Sequence, residues 1–273
     1  MTGRALSTWD VAVLVLLAVL AAVFFRGCRV LARRGAQPAR FERITFWLGW
    51  AALVGAILPP LDALVVELFS AHMAQHELMM LVGAPLMIAG RPLPKLIVGL
   101  PSPLQRAAVA TLQSAGGKRT WALLTMPVMA WLLHGLALWI WHVPALYQLA
   151  VRNEGVHTLQ HGMFVGTAML FWWGVLYGRY GRAGYGAAAL FVFMTVVHSG
   201  ILGAAITFAT TPLYPDYSAP THAHGLDPLQ DQQLAGLLMW VPAGFVLTLL
   251  GIGLFGAWLG EAARRERQAR EAP

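Results

Sequence analysis

Seven apolar stretches, each long enough to cross a bilayer, run through this chain from its beginning to its end. A helix needs about 20 apolar residues to span a hydrocarbon core about 30 Å thick. Only 11% of the residues are charged and the mean hydropathy is +0.62, values that do not suit a water-soluble surface. The sequence therefore predicts an all-α membrane protein, a bundle of seven transmembrane helices in a single domain over residues 1–273. The predicted spans are residues 9–27, 44–62, 68–90, 121–141, 156–177, 184–209 and 232–259.

Basic residues lie almost entirely on one side of the predicted spans. Seventeen of the nineteen Lys and Arg residues follow the first, third, fifth and seventh spans, whereas Arg4 and Arg152 lie on the other side. Because cytoplasmic loops carry the excess of Lys and Arg, we expect the N-terminus outside and the C-terminus in the cytoplasm, with residues 260–273 as a basic tail. The net charge of +7 is then a topology signal and does not indicate a nucleic-acid partner. The longest connection on the basic side, residues 92–118, is amphipathic and predicts one or two interfacial helices.

Prolines and aromatic residues indicate where the spans bend and where they end. Pro85, Pro127 and Pro242 fall within the third, fourth and seventh spans and predict kinks, because proline lacks the N–H that a helix needs. Trp and Tyr residues beside the spans are expected to anchor them at the membrane interface. They are Trp9, Trp121, Trp141, Tyr147, Tyr177 and Tyr214.

Histidines concentrate in the outer half of the predicted bundle. One pair, His72 and His76, opens the third span, and a second pair, His157 and His161, opens the fifth, each in the pattern H-x-x-Q-H. Residues i and i+4 lie on one face of a helix, so each pair can chelate a metal ion. Ionisable side chains within a span are costly and are functional by default. Three further histidines of the same outer half join the candidate ligands: His134, His142 and His198.

Methionine and cysteine content narrows the choice of metal. Met79 follows His76 along the same helical stripe, and mixed imidazole and thioether ligands suit copper, Cu(I) especially, better than magnesium or calcium. Cys28 is the single cysteine, which excludes a C-x-x-C metal or redox pair. Of the nearby carboxylates, Glu77 can pair with an imidazole or carry protons. Asp231 is expected to cap the start of the last span or to support a ligand.

Five motifs occur in order across the third to seventh spans. They are H-M-A-Q-H-E-L-M-M-L from His72, W-H-V-P-A-L-Y from Trp141, V-H-T-L-Q-H-G-M-F from Val156, P-L-Y-P-D-Y from Pro212 and D-Q-Q-L-A-G-L-L-M-W from Asp231. Together they resemble the polytopic CtaG-type family of cytochrome c oxidase assembly factors.

The resemblance implies a multi-pass protein of the bacterial inner membrane that is not an enzyme. It implies that the protein helps Cu(I) reach the catalytic subunit of a haem-copper oxidase from the periplasmic side. The implied partners are that subunit, a periplasmic copper donor and the lipid bilayer. The family motif carries over to His72, His76, His142, His157, His161, Asp231 and Met239. With the residues added from position alone, the expected copper ligands are His72, His76, His134, His142, His157, His161, His198, Met79 and Met239, supported by Glu77 and Asp231.

Two other functions remain open at this point. An intramembrane hydrolase would hold zinc on the paired histidines and use Glu77 or Asp231 as a base. A haem-binding or haem-transfer protein would use one histidine from each of two helices as axial ligands.

The predicted topology can be tested with reporter fusions. A reporter that is active only in the periplasm, fused after Pro273, should be inactive, because the basic loops hold the C-terminus in the cytoplasm. The same reporter inserted after Arg152 should be active and serves as the control. Activity of the C-terminal fusion would contradict the predicted orientation.

Overall fold

The computed structural model describes residues 7–178 and 184–271, and within these ranges it contains helices and no strand. The helices are α1 Thr8–Arg33, α2 Arg40–Ile57, α3 Leu61–Val65, α4 Phe69–Glu77, α5 Ala84–Ala89, α6 Pro92–Gly99, α7 Ser102–Gln113, α8 Ala115–Leu124, α9 Pro127–Trp141, α10 Pro144–Arg152, α11 Glu154–Tyr177, α12 Gly184–Thr207, α13 Ser218–Ala223 and α14 Pro228–Glu271. A π-helical segment, Leu78–Gly83, joins α4 to α5, and a 3₁₀ turn, Pro215–Tyr217, precedes α13. Arg4, Arg179, Arg182 and the last two residues of the predicted basic tail lie outside the described residues.

Three helices are long and apolar enough to cross a membrane: Thr8–Arg33, Tyr185–Thr207 and Pro228–Gln268. Two bent pairs qualify when each is taken together, Phe69–Ala89 with Pro92–Gly99 at 68° and Ala115–Leu124 with Pro127–Trp141 at 62°. The described part of the chain thus has three to five candidate spans, and the count of seven remains a prediction.

The other two predicted spans are present as helices that fall short of this test. The first, α2, opens on three charged residues, Arg40, Glu42 and Arg43. The second, α11, opens on a polar stretch that includes His157 and His161, which lowers its mean hydropathy.

The three prolines act on their helices in three different ways. Pro85 follows the π-helical segment, which widens the turn where proline cannot donate a hydrogen bond. The carbonyl of Met80, five residues earlier, accepts a hydrogen bond from Trp172 Nε1 instead (2.9 Å). Pro127 begins α9 at the bend after α8, whereas Pro242 lies within the continuous helix α14.

The amphipathic connection after α5 contains α6 and α7. The first of these helices packs against the rest of the protein, and the second does not bury any residue. Close contact joins α6 to α1: a Cβ added to Gly27 would lie 1.8 Å from the Lys95 carbonyl oxygen, and one added to Gly99 would lie 1.9 Å from that of Val23. The buried Lys95 ammonium donates to Glu42 at 2.7 Å. By contrast, α7 buries none of its residues, as expected of an interfacial helix.

A buried carboxylate of α14 holds the start of α4. Asp231 accepts hydrogen bonds from the backbone N–H of Phe69 (2.8 Å), the backbone N–H of Ser70 (3.3 Å) and the Ser70 hydroxyl. The expectation that Asp231 caps its own helix is therefore wrong. Because α14 begins at Pro228, that role falls to Asp227, which accepts from the N–H groups of Leu229 and Gln230.

Replacing Asp231 with alanine should destabilise the protein by about 2 kcal/mol or more, because two buried N–H groups of α4 lose a charged acceptor. Asp227→Ala is the matched control, since it removes an exposed cap worth about 1 kcal/mol. Thermal unfolding of the purified protein in detergent measures both changes. Equal losses for the two variants would contradict the role given to Asp231.

Candidate metal centre

Four histidines from two helices converge at the outer end of the predicted bundle. His72 and His76 project from α4, and His157 and His161 project from α11. One ring nitrogen from each can be chosen so that all four lie within 4.8 Å of one another. The convergence expected from the two H-x-x-Q-H motifs is confirmed, and we call these four residues the histidine cluster.

The rings of the cluster form two pairs, each with its rings tilted against each other, and the pairs face each other across the two helices. Along the helices, the ring centroids of His72 and His76 are 4.4 Å apart, and those of His157 and His161 are 4.1 Å apart. Across the helices, the distance is 4.9 Å between His72 and His157 and 5.1 Å between His76 and His161. The α4 pair is buried and the α11 pair is half-buried.

One pair of nitrogens already has the spacing of two ligands on one ion. The Nε2 atoms of His72 and His157 are 3.1 Å apart. Two imidazoles bound tetrahedrally with metal–nitrogen bonds of ~2.0 Å would hold their nitrogens ~3.3 Å apart. The geometry therefore suits a first-row transition metal without a large rearrangement of this pair.

Tyr217, in the 3₁₀ turn before α13, fixes the orientation of the His72 ring. The Tyr217 hydroxyl lies 2.6 Å from His72 Nδ1 and donates its own proton to the Val65 carbonyl at 3.1 Å. Burial raises the pKa of Tyr217, so the phenol keeps that proton. His72 must then donate from Nδ1–H, which leaves the lone pair of Nε2 directed towards His157. This is the arrangement that supports metal-binding histidines in proteins.

Other ring nitrogens of the cluster have no hydrogen-bond partner among the described residues. Both nitrogens of His76 and the Nε2 atom of His161 are buried in this way. Buried polar atoms are normally paired, and each unpaired one costs about 1–3 kcal/mol. A bound metal ion would accept the lone pair that each neutral imidazole carries on one of its two nitrogens, so the donor set fits a transition metal.

A small cavity adjoins the cluster. Its volume is about 20 Å³, room for about one water-sized group. Val66, Glu154, His157 and Tyr217 contribute to its walls, along with His72. Glu154 is exposed, so its carboxylate places negative charge at the mouth. Of the cluster, His72 and His157 line this cavity, whereas His76 and His161 do not.

Among the other predicted ligands, His142 lies nearest to the cluster. Its Nδ1–H donates to the Leu138 carbonyl (2.6 Å), and its Nε2 is buried without a partner in the described structure. Its ring is 5.9 Å from that of Phe164, which in turn is 4.8 Å from the His76 ring. His142 therefore borders the cluster and is not part of the convergent group of four.

A second cavity, of about 40 Å³ and with mostly apolar walls, contains three more of the predicted residues. Glu77, His134 and Met239 line it, together with Met80 and Ser199. The structure does not bring these side chains into the histidine cluster. Among the described residues, Glu77 forms no hydrogen bond or ion pair, so this carboxylate is not held by the cluster.

The last two predicted ligands lie elsewhere. His198 packs beside α9, where its ring is 5.9 Å from that of Trp131, and its two nitrogens are buried without described partners. Met79 packs in the apolar core of α1 and α2, with Leu53 among its neighbours. The π-helical segment begins at Leu78 and changes the turn after His76, so α-helical spacing no longer places Met79 on the histidine stripe.

Sequence reasoning missed the aromatic residues that surround the cluster. Tyr147 and Tyr214, expected at the membrane interface, are 0% and 4% exposed. Their rings lie 4.7 Å apart, and the Tyr147 ring is 5.1 Å from His72. Tyr217 is also buried, and the motif P-L-Y-P-D-Y, which contains two of these residues, is the signal that pointed to this segment. Asp216 holds the segment to α10 through two hydrogen bonds of 2.7 Å from Arg152.

Tyr217→Phe should weaken metal binding about 10-fold or more, because the His72 ring loses the acceptor that fixes its tautomer. Tyr214→Phe is the control, since this neighbouring hydroxyl donates to the His142 carbonyl and does not contact His72. Competition with a chelator on the purified protein measures both affinities. If the two variants lose affinity equally, Tyr217 has no special role in orienting His72.

The chain matches one known protein family. The model of a family described as cytochrome c oxidase caa3 assembly factor (Caa3_CtaG) matches residues 22–261. The matched range contains all four residues of the histidine cluster and confirms the resemblance indicated by the motifs. Neither the curated proteins nor the solved structures give a match.

Proposed function

Because the chain belongs to the family of cytochrome c oxidase caa3 assembly factors, we propose that its histidine cluster holds copper on the way to the catalytic subunit of the oxidase. The observation that carries the proposal is the convergence of four imidazole ligand atoms within 4.8 Å. In this proposal the protein catalyses no reaction. It receives Cu(I) from a periplasmic donor at the outer end of the bundle and releases it to the oxidase by ligand exchange.

The packing of the cluster favours a metal ion over haem. A haem with two axial histidines needs a flat slot between opposing imidazoles. Here the opposing rings are 4.9 Å and 5.1 Å apart, and their edges meet at steep angles. The adjoining cavity, of about 20 Å³, has room for a single small group.

The positions of Glu77 and Asp231 favour a carrier over a hydrolase that uses either of them as its base. A hydrolase needs a base within hydrogen-bond reach of a metal-bound water. The Asp231 carboxylate accepts three hydrogen bonds from the start of α4. Glu77 lines the second cavity together with His134. Neither of the two carboxylates nominated as a base belongs to the convergent group.

Only imidazole groups are present as donors in the cluster, and the thioethers expected from the sequence are not part of it. Met79 and Met239, the thioethers expected from the sequence, lie in the α1–α2 core and in the second cavity. Imidazole binds copper and zinc well, so the donors do not separate these metals by themselves. The choice of copper rests on the family, whose described task is the assembly of cytochrome c oxidase. Metal content of the purified protein should therefore be measured with Cu(I) and Zn(II) in competition.

Strains that carry His76→Ala or His161→Ala should make an oxidase that retains haem but has lost most of its copper. Each substitution removes one ligand of the cluster, so the site should bind copper too weakly to deliver it in copper-limited medium. His222→Ala is the control, because this histidine is exposed in the outer loop. The measurements are the haem spectrum, the copper content and the activity of the oxidase. Extra copper in the medium should partly restore the activity.

A fully copper-loaded oxidase in the His76→Ala strain, at the normal level and under copper limitation, would refute the copper proposal. Glu77→Gln separates the carrier from the hydrolase. A carrier should retain its function in this variant, since Glu77 lies outside the cluster. A hydrolase that uses Glu77 as its base would lose activity with its metal still bound, and added copper would not rescue it.

A further inference from the structure

A pocket at the opposite end of α2 from the histidine cluster is unrelated to the copper proposal. The far end of α2 reaches the level of the cluster, where the Gln75 side chain donates to the Ala56 carbonyl. The near end of α2 and the last turns of α1 enclose a pocket of about 570 Å³. This volume lies within the range of about 300–1,000 Å³ typical of small-molecule sites in proteins.

Three arginines line this pocket without a matching carboxylate. Arg29, Arg40 and Arg43 contribute to its walls. No ion pair among the described residues includes any of the three. The nearest acidic residue in the sequence, Glu42, is engaged by Lys95 at 2.7 Å and by Arg91 at 3.7 Å. The pocket therefore presents uncompensated positive charge.

One guanidinium group is also short of a hydrogen-bond acceptor. The Nε atom of Arg43 is buried and has no partner in the described structure. Such an unpaired donor is costly, particularly on a charged group. Guanidinium groups bind phosphate oxygens through paired hydrogen bonds, which is why arginine is common at phosphate sites. A phosphate group would satisfy both the charge and the free donor.

The other walls of the pocket are largely apolar, and several of their side chains are exposed at the protein surface. Phe24 is fully buried at its base, whereas Phe25 and Leu48 are 53% and 54% exposed. Trp47 also lines the pocket and is 36% exposed. A free phosphate ion makes no apolar contacts with such walls, whereas acyl chains would pack against them. Together with the arginines they match a molecule with an anionic head and an apolar tail.

We propose that this pocket binds an anionic phospholipid from the leaflet at the arginine-rich end of α1. Its phosphate lies against Arg29, Arg40 and Arg43, and its acyl chains pass along Phe25 and Leu48. This assignment depends only on the pocket and is independent of the copper site.

The chain carries a natural probe for this pocket. Cys28 is the single cysteine of the sequence, it is a free thiol, and it contributes to the pocket wall. We would place the purified, delipidated full-length protein in phosphatidylcholine nanodiscs with increasing fractions of phosphatidylglycerol. The rate at which a maleimide alkylates Cys28 is measured at each fraction, and native mass spectrometry counts the lipid retained. Phosphatidylglycerol should slow the alkylation and remain bound.

The matched variants are Arg29→Gln with Arg40→Gln, and Arg33→Gln with Arg34→Gln. All four arginines are exposed, so the substitutions should leave the fold intact, and each pair removes the same charge from the same end of the bundle. Only the first pair lines the pocket. It should raise the phosphatidylglycerol fraction needed for half-protection by about fivefold or more per arginine. The second pair should leave this fraction within twofold of the wild type.

Several outcomes would overturn the proposal. Equal losses in the two double variants would mean that the interface attracts the lipid through its general charge alone. Protection by phosphatidylcholine as strong as that by phosphatidylglycerol would remove the role of the arginines. Protection by inorganic phosphate at millimolar concentration would assign the pocket to a soluble anion. Arg43→Gln provides a further check, since it should reduce lipid retention while copper binding at the histidine cluster stays unchanged.

Discussion

Polar atoms inside a bilayer must find partners within the protein, because the hydrocarbon around it offers none. The structure meets this demand at most of its buried polar groups. Asp231 accepts hydrogen bonds from the start of α4, and the Lys95 ammonium donates to Glu42 and to two backbone carbonyls. Trp172 pairs with the carbonyl that Pro85 leaves free. The nitrogens of His76 and His161 are among the buried polar atoms that have no partner in the described structure, and these two residues belong to the group of four converging imidazoles.

The cluster is assembled by contacts that are distant in sequence. Asp231 of α14 holds the first turn of α4, which carries His72. Tyr217 of the 3₁₀ turn before α13 orients the same ring, and the ion pair between Asp216 and Arg152 holds that turn to α10. Each of these contacts joins residues more than 60 positions apart. The two α4 ligands are therefore positioned by three other segments of the chain.

This assembly explains which parts of the site could be predicted from sequence. The spacing of His72 and His76 and of the second pair gave their faces and depth, because i,i+4 geometry is local. Met79 was misplaced since a π-helical segment, which follows from Pro85 further along, changes the turn. The partners of Asp231 and the burial of Tyr147 depend on tertiary packing, so no local pattern carries them. The family resemblance supplied the pathway, which residue spacing could not.

The division of burial between the two helices suits a site that both receives and releases its ion. The α4 pair is buried and held by Asp231 and Tyr217, so it supplies a fixed half of the donor set. The α11 pair is half-buried, and His157 lines the cavity that opens beside Glu154. His157 of the α11 pair and His72 of the α4 pair both line this cavity, whereas His76 and His161 do not. In the proposed function, exchange begins at the half-buried α11 pair, and the buried α4 imidazoles hold the ion until the partner has bound it.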